Sequence, residues 1–258
     1  MGYDSNGETQ VGAQEQEFVR QLRQTLAALT NEIPLYLFVH KGKEDVFADA
    51  CRQVVRAFRQ LTDKITLKEF YLDHEDAERW GVDSAPTLLI DPRRYKIRWL
   101  GAPMGEEGRS FLEAILLLGM GKSGLSEQSL QVMSRLDTPR EVKIFVSPTC
   151  PYCPQQVVNG VKAAIERPDL VSLEIIDIQC RPDLADQYDA HSVPQAWAEE
   201  VRIGMGAQQE EVFLSSLLKL EAQTLFIPES TAEMVETDVV IVGGGPAGLT
   251  AGIYTVRS

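Results

Sequence analysis

Cysteine, histidine and aromatic residues are scarce in this chain: of 258 positions four are Cys and three His, and Phe, Trp and Tyr together make up 7%. Four cysteines in a chain this long do not make a disulfide scaffold. Scattered histidines leave no pair at metal-ligand spacing. Long apolar runs are absent too. The longest cluster, Ile115 to Leu118, is closed off by Gly119 and Gly121, far short of the ~20 residues that span a bilayer. Basic charge is in deficit, with 25 Lys and Arg against 38 Asp and Glu, a net charge of −13. Nucleic-acid backbone and anionic membrane would both be repelled, and are excluded as partners. The N-terminal stretch Gly2-Tyr3-Asp4-Ser5-Asn6 is polar and acidic, unlike a signal peptide, so a cytoplasmic location is expected. What remains, 44% hydrophobic and 24% charged residues, is the composition of an ordinary globular protein. Its length predicts about two domains.

Two of the few cysteines stand together. Val142 to Val146 is an apolar run of strand length; Ser147-Pro148-Thr149 breaks it, and Cys150-Pro151-Tyr152-Cys153 follows. Behind Pro154, the residues Val157, Val158, Val161, Ala164 and Ile165 fall on one face of a helix. Cys150 is therefore expected at or just before a helix N-terminus, where unpaired N–H groups and the helix dipole favour a thiolate. A thiolate is the species that attacks disulfides. A zinc site would need two further ligands, and only Cys51, Cys180 and the three histidines remain. A pair of inert core cysteines fits poorly with two prolines at a strand-to-helix turn. Cys-x-x-Cys beside a strand–helix unit points to redox chemistry.

The order of elements repeats. In the first half a helix from Glu15 to Leu29 (Phe18, Leu22, Leu26, Leu29) precedes a strand over 35–39, a helix over 46–61 and a strand over 65–72. A short acidic helix over 73–80, strands over 86–90 and 95–100, and a helix over 108–118 complete it. The second half runs strand 142–146, helix 154–166, strand 171–178, short helix 182–188, strands 194–197 and 201–205, and helix 210–220. Phe38-Val39 and Phe145-Val146 mark a period near 107 residues, each copy a βαβ–ββα unit. Between the copies, Leu125, Leu130, Met133 and Leu136 predict a short helix packed on the second. Superposition places Lys43-Glu44-Asp45-Val46 where the second copy has its two cysteines, so the first copy lacks the dithiol. Cys51 and Cys180 have no sequence neighbour to pair with, and each reads as a structural residue. Ala85-Pro86 and Val193-Pro194 open the third strand of each copy, a position where proline costs no ladder bond.

Thr149-Cys150-Pro151-Tyr152-Cys153-Pro154 resembles the glutaredoxin-type active site of the thioredoxin superfamily. Both halves resemble that superfamily in element order, which implies a cis peptide before Pro194, facing Cys150, and makes Pro194 a third site residue. The paired organisation resembles the tandem glutaredoxin-like protein disulfide oxidoreductases. One active and one inactive copy is similar to the N-terminal domain of the flavoprotein subunit of alkyl hydroperoxide reductase.

Near the end, Thr237-Asp238-Val239-Val240-Ile241-Val242 reads as a strand, followed by Gly243-Gly244-Gly245-Pro246-Ala247-Gly248 and a helical pattern. This is the context in which G-x-G-x-x-G binds a dinucleotide. Gly243 would permit the turn, Gly245 the approach of a pyrophosphate and Gly248 close helix–strand packing. With Pro246 in the loop, the stretch resembles the FAD-binding motif of thioredoxin-reductase-like flavoproteins. The acidic ribose partner expected ≈ 20 residues beyond the motif does not follow, so no FAD is expected on this chain itself.

The expected architecture is α/β: two tandem thioredoxin-like domains, then the first βα unit of a truncated Rossmann-type FAD domain. Residues 1–14 would be a disordered tail, 15–121 the domain without the dithiol, and 122–140 a connecting helix. The dithiol domain would span 141–222, a linker 223–236, and the start of the flavin domain 237–258. The resemblance implies a thiol–disulfide oxidoreductase, the dithiol relay module of an FAD- and NAD(P)H-dependent reductase. It would take electrons from a flavin reductase body and pass them to a peroxiredoxin or another small redox protein. A free-standing disulfide oxidoreductase or isomerase, and a non-catalytic docking platform, are the alternatives.

Overall fold

The computed structural model describes residues 16–17, 19–226, 236–243 and 245–255. The expected tail over 1–14, Glu15 and Phe18 of the first helix, most of the linker and Gly244 lie outside the described residues. Two compact units divide the chain, residues 1–226 and 227–258.

The larger unit is built on one mixed sheet of eight strands: β1 (Ile33–Val39), β2 (Ile65–Tyr71), β3 (Thr87–Ile90), β4 (Lys96–Leu100), β5 (Arg140–Val146), β6 (Val171–Asp177), β7 (Gln195–Ala198) and β8 (Val201–Met205). Their spatial order is β2-β1-β3-β4-β6-β5-β7-β8. Each half contributes four neighbours in the same connectivity: a parallel pair, then two antiparallel strands. The halves join where β4 pairs in parallel with β6, from Lys96 opposite Ser172 to Leu100 opposite Ile176. They thus form one continuous sheet.

Helices α1 (Val46–Arg59), α2 (Glu75–Arg79), α3 (Glu107–Met120), α4 (Glu127–Ser134), α5 (Cys153–Glu166), α6 (Pro182–Gln187) and α7 (Glu210–Lys219) cover the two faces. Strand alternation sorts the side chains. Leu35, Leu37 and Val39 face the large core, with Trp99, Phe111 and Val161. Tyr36 and Phe38 turn the other way onto Phe70 and Trp80 beside α2, and Phe145 and Ile176 meet Tyr188 and Leu184 beside α6. Because both faces are covered, the central strands read as continuous apolar runs rather than as alternation.

Local signals account for the helix ends. Asp45 caps α1, its carboxylate accepting from the amides of Phe47 (2.9 Å) and Ala48 (3.2 Å). Ser126 caps α4 through the Ser129 amide at 3.2 Å. In α4 the buried face is Ser129, Val132 and Met133, continued by Leu136, whereas Leu130 is 40% exposed. Of the expected apolar set Met133 and Leu136 are buried and Leu125 packs on the core, whereas the i, i+3, i+4, i+7 stripe that starts at Ser129 leaves Leu130 outside it. Helix α5 is buried nearly all round, polar Gln156 and Asn159 included. It lies over the sheet, with α3 packed on it across the seam and α7 also in contact.

In the smaller unit, α8 (Pro246–Thr255) follows the glycine turn and buries none of its described residues. The strand expected over 237–242 is not formed. Val239 to Val242 are exposed, Val242 by 94%, and no described strand pairs with them. A lone extended segment has nothing to satisfy its N–H and C=O groups except water, so it does not register as sheet.

Candidate active site

Strand β5 delivers the chain to the site at the carboxyl end of the sheet. There the Cys150 amide donates to the Ser147 carbonyl at 3.0 Å, closing the Ser-Pro-Thr turn. Cys150 and Cys153 are joined as a disulfide with their Cα atoms 5.5 Å apart, well within the usual span. Helix α5 begins at Cys153 itself rather than at Pro154. Cys153 is thus the first helical residue, and it is fully buried while Cys150 is 9% exposed. The Cys153 amide donates to Cys150 Sγ at 3.1 Å. That N–H, shared with the Cys150 carbonyl at 3.4 Å, is aimed at the sulfur that would carry negative charge after reduction.

The Val193–Pro194 peptide is cis, and the Val193 carbonyl oxygen lies 3.6 Å from Cys150 Sγ. The Pro194 carbonyl accepts from the Gly206 amide at 2.8 Å, tying this corner to the end of β8. Cys150, Cys153 and Pro194 are therefore brought together. In the first half Ala85–Pro86 is also cis. There the helix mouth carries exposed Lys43 and Glu44 and the capping carboxylate of Asp45, with no sulfur.

The other two cysteines do not join the dithiol. Cys51 is fully buried, its thiol donating to the Gly101 carbonyl at 3.1 Å, and burial pushes its acidity far below that of an ordinary thiol. Burial and the neighbouring Asp177 push the Cys180 thiol up to about 12. Neither is a thiolate at neutral pH. Among the described residues no group of His, Cys, Asp and Glu is placed to hold a metal ion, and no helix is long and apolar enough to cross a membrane.

Two buried acids missed by sequence reasoning lie at the start of α3 and at the end of β6. Glu107, at the start of α3, is 1% exposed. Its Oε2 accepts from the Ser110 hydroxyl at 2.6 Å and its Oε1 has no partner. Burial, opposed by the Ser110 bond and reinforced by the charges of Asp177 and Glu106, raises its carboxyl to about 7. Two anchors hold it against the dithiol loop. The amide of Glu106 donates to the Pro148 carbonyl at 2.9 Å, and Ser110 lines a groove of about 470 Å³ with Pro151, Tyr152 and Pro154. Asp177, the last residue of β6, is equally buried, and one of its oxygens is also unpartnered. Glu107 carries no sequence signal, since acids at helix starts are ordinarily solvated. Asp177 has one: an acid ending the apolar run Ile175-Ile176.

In the smaller unit Gly243 has φ +111° and a side chain on Gly248 would collide with the Gly243 carbonyl, while a side chain on Gly245 would meet nothing. The turn thus needs glycine at two positions and leaves open space at the third, where a phosphate would approach. These features fit a dinucleotide pyrophosphate.

Residues 140–219 match the family model described as thioredoxin domain. Over 208 residues it is 29% identical to the F subunit of alkyl hydroperoxide reductase from Pseudomonas aeruginosa, covering 76% of this chain and 36% of that protein. A protein named NADH dehydrogenase from Bacillus subtilis is 23% identical over 92% of this chain and 43% of its own length. The chain thus spans less than half the length of these curated relatives. Among solved structures, the NTD_N/C domain of alkylhydroperoxide reductase AhpF from Enterococcus faecalis superposes with a TM-score of 0.69 at 26% identity, covering 78% of this chain and 98% of that one. A protein disulfide oxidoreductase from Aeropyrum pernix gives 0.70 at 24% identity, covering 80% and 94%. The fold is therefore a mixed α/β sheet of thioredoxin type. Within the matched residues Cys150–Cys153 occupies the mouth of α5, beside the cis-proline corner.

Proposed function

We propose that residues 15–222 are two tandem thioredoxin-like copies acting as the dithiol relay module of an FAD- and NAD(P)H-dependent disulfide reductase. The observation that carries this reading is the Cys150–Cys153 disulfide at the mouth of α5, with the Val193 carbonyl against Cys150 Sγ. In the reduced module Cys150 is the thiolate, stabilised by the Cys153 amide and the helix N-terminus. It attacks a sulfur of the acceptor disulfide; an S–S bond forms to Cys150, and the acceptor's other sulfur leaves as thiolate. The thiol of Cys153 then loses its proton to the carboxylate of Glu107. Its sulfur attacks Cys150 Sγ, releasing the acceptor's second thiolate and restoring the Cys150–Cys153 bond. Two electrons have passed to the acceptor. The backbone beside cis-Pro194 offers the acceptor chain a strand edge on which to align.

The acceptor is a disulfide on a peroxiredoxin or another small redox protein, and the compartment is the cytoplasm. Gly243, Gly245, Pro246 and Gly248 would hold the pyrophosphate of FAD at the N-terminus of α8. When bound in the parent enzyme, FAD moves electrons from NAD(P)H toward a dithiol. The similarity to the F subunit of alkyl hydroperoxide reductase supports this assignment.

Trapping tests the order of attack. Cys153→Ser should accumulate a mixed disulfide with a peroxiredoxin disulfide through Cys150, visible by non-reducing electrophoresis and mass spectrometry. Accumulation through Cys153 in a Cys150→Ser variant instead would reverse the roles.

A further inference from the structure

Helix α5 buries two carboxamides among its apolar residues: Gln156 and Asn159 are 0% and 1% exposed. One residue satisfies both. Gln156 Oε1 accepts from the Gln208 amide at 3.0 Å, and Gln156 Nε2 donates to Gln208 Oε1 at 3.2 Å. Asn159 Nδ2 donates to the Gln208 carbonyl at 3.0 Å. Gln208 Nε2 in turn donates to the Ile203 carbonyl of β8 at 3.3 Å. A side chain on Gly204 would run into Gln208 Oε1, so glycine there leaves the carboxamide its place. A buried polar network satisfied in this way fixes one arrangement of the elements it joins.

The elements joined are the dithiol helix and the Pro194 corner. Gln156 lies one turn beyond Cys153 on α5. Gln208 lies two residues beyond Gly206, whose amide donates to the Pro194 carbonyl at 2.8 Å. The Val193 carbonyl oxygen lies 3.6 Å from Cys150 Sγ. The contacts therefore run from the dithiol helix through Gln208 to the corner, and from the corner back to the sulfur.

The first half offers an internal comparison. It has the same corner bond, with the Gly101 amide donating to the Pro86 carbonyl at 3.2 Å. Asp49 and Arg52 are fourth and seventh in α1, as Gln156 and Asn159 are in α5. They bond each other at the surface instead, at 2.6 Å. Helix α1 meets its corner through the Cys51 thiol, which donates to the Gly101 carbonyl at 3.1 Å. A corner of this kind thus folds without the carboxamides; they occur in the half that carries the dithiol.

We propose that Gln156 and Gln208 are positioning residues for the acceptor. Their paired carboxamides hold the Pro194 corner in register with Cys150, so that an extended acceptor segment aligned on the corner brings its disulfide sulfur to Cys150 Sγ. This rests on the reading of Cys150 as the attacking thiol. Misplacing a reacting group by about 1 Å can cost on the order of 10²-fold in rate. A peptide disulfide draws on this register, whereas a small disulfide has no chain to align.

Two probes separate these cases: dithiobis(nitrobenzoate), and a short extended peptide whose central cysteine is disulfide-bonded to nitrothiobenzoate. In each, Cys150 of the reduced 258-residue chain attacks one sulfur, a mixed disulfide forms and nitrothiolate leaves, so initial absorbance gives both second-order rate constants. Gln156→Leu should lower the ratio of the peptide constant to the small-probe constant by about tenfold. Gln208→Ala should lower it in the same direction. Val161→Ala, which opens a cavity on the core side of the same helix, should keep the ratio of the unaltered chain. An unchanged ratio in Gln156→Leu, or an equal fall in Val161→Ala, overturns the proposal. Should Gln156→Leu not fold, Gln208→Ala decides, and an unchanged ratio there overturns the proposal too. Release at the unaltered rate from both probes in Cys150→Ser overturns the reading of Cys150 itself, and the proposal with it.

Discussion

The two active-site cysteines differ less in position along the chain than in what surrounds them. Cys150 stands on the turn with some exposure and an N–H aimed at its sulfur; Cys153 is sealed beneath it. Exposure suits the attacking role and shielding the resolving one. Glu107, the proton acceptor of the proposed mechanism, also bears on stability. Its carboxyl is raised from an ordinary 4.5 to about 7, so between those values the folded chain binds more protons than the unfolded one. Stability therefore falls as pH rises through that window, and is flat on either side. Glu107→Gln removes this dependence. It should stabilise the oxidised chain by about 3 kcal/mol at pH 8 relative to its effect at pH 4, measured by urea unfolding at the two pH values. An equal effect at both would mean that the Glu107 carboxyl titrates alike in the folded and unfolded chain.

Individual elements were legible wherever one local signal dominated. Asp45 announces α1, the Ser-Pro-Thr turn ends β5, and the dithiol marks the start of α5 to within one residue. Legibility failed where an outcome depended on neighbours. Leu130 reads as apolar and core-facing, but its place on the α4 stripe turns it outward. Val239 to Val242 have every residue a buried strand needs and, among the described residues, no strand paired with them. Glu107 and Asp177 look like surface acids until the seam closes over them. The first-half helix mouth makes a clean comparison with the second, because it keeps the cis-proline and replaces sulfur with a cap. Asp45→Ala should cost about 1 kcal/mol in denaturant unfolding while leaving disulfide exchange at Cys150 unchanged. A loss of exchange activity would assign the first-half mouth a part in catalysis.

At the scale of the whole larger unit, the halves share one sheet through β4 and β6 and one helical layer through α3 and α5. The repeat near 107 residues was visible in the sequence, but the way the copies join was not, because strand pairing across a repeat leaves no periodic trace. The shared sheet predicts that residues 122–222 expressed alone will melt at a lower temperature and bind a hydrophobic dye, since β6 becomes an exposed edge and α5 loses α3. An isolated half with unchanged melting temperature and activity would show the halves to be independent. The reading as a relay also requires the Cys150–Cys153 couple to accept and give up electrons in the range of cellular dithiols. Equilibrating the chain with glutathione redox buffers and counting free thiols measures this directly. A glutaredoxin-type centre should titrate near about −200 to −230 mV, whereas a potential below about −300 mV would mark Cys150–Cys153 as a structural bond and contradict the relay.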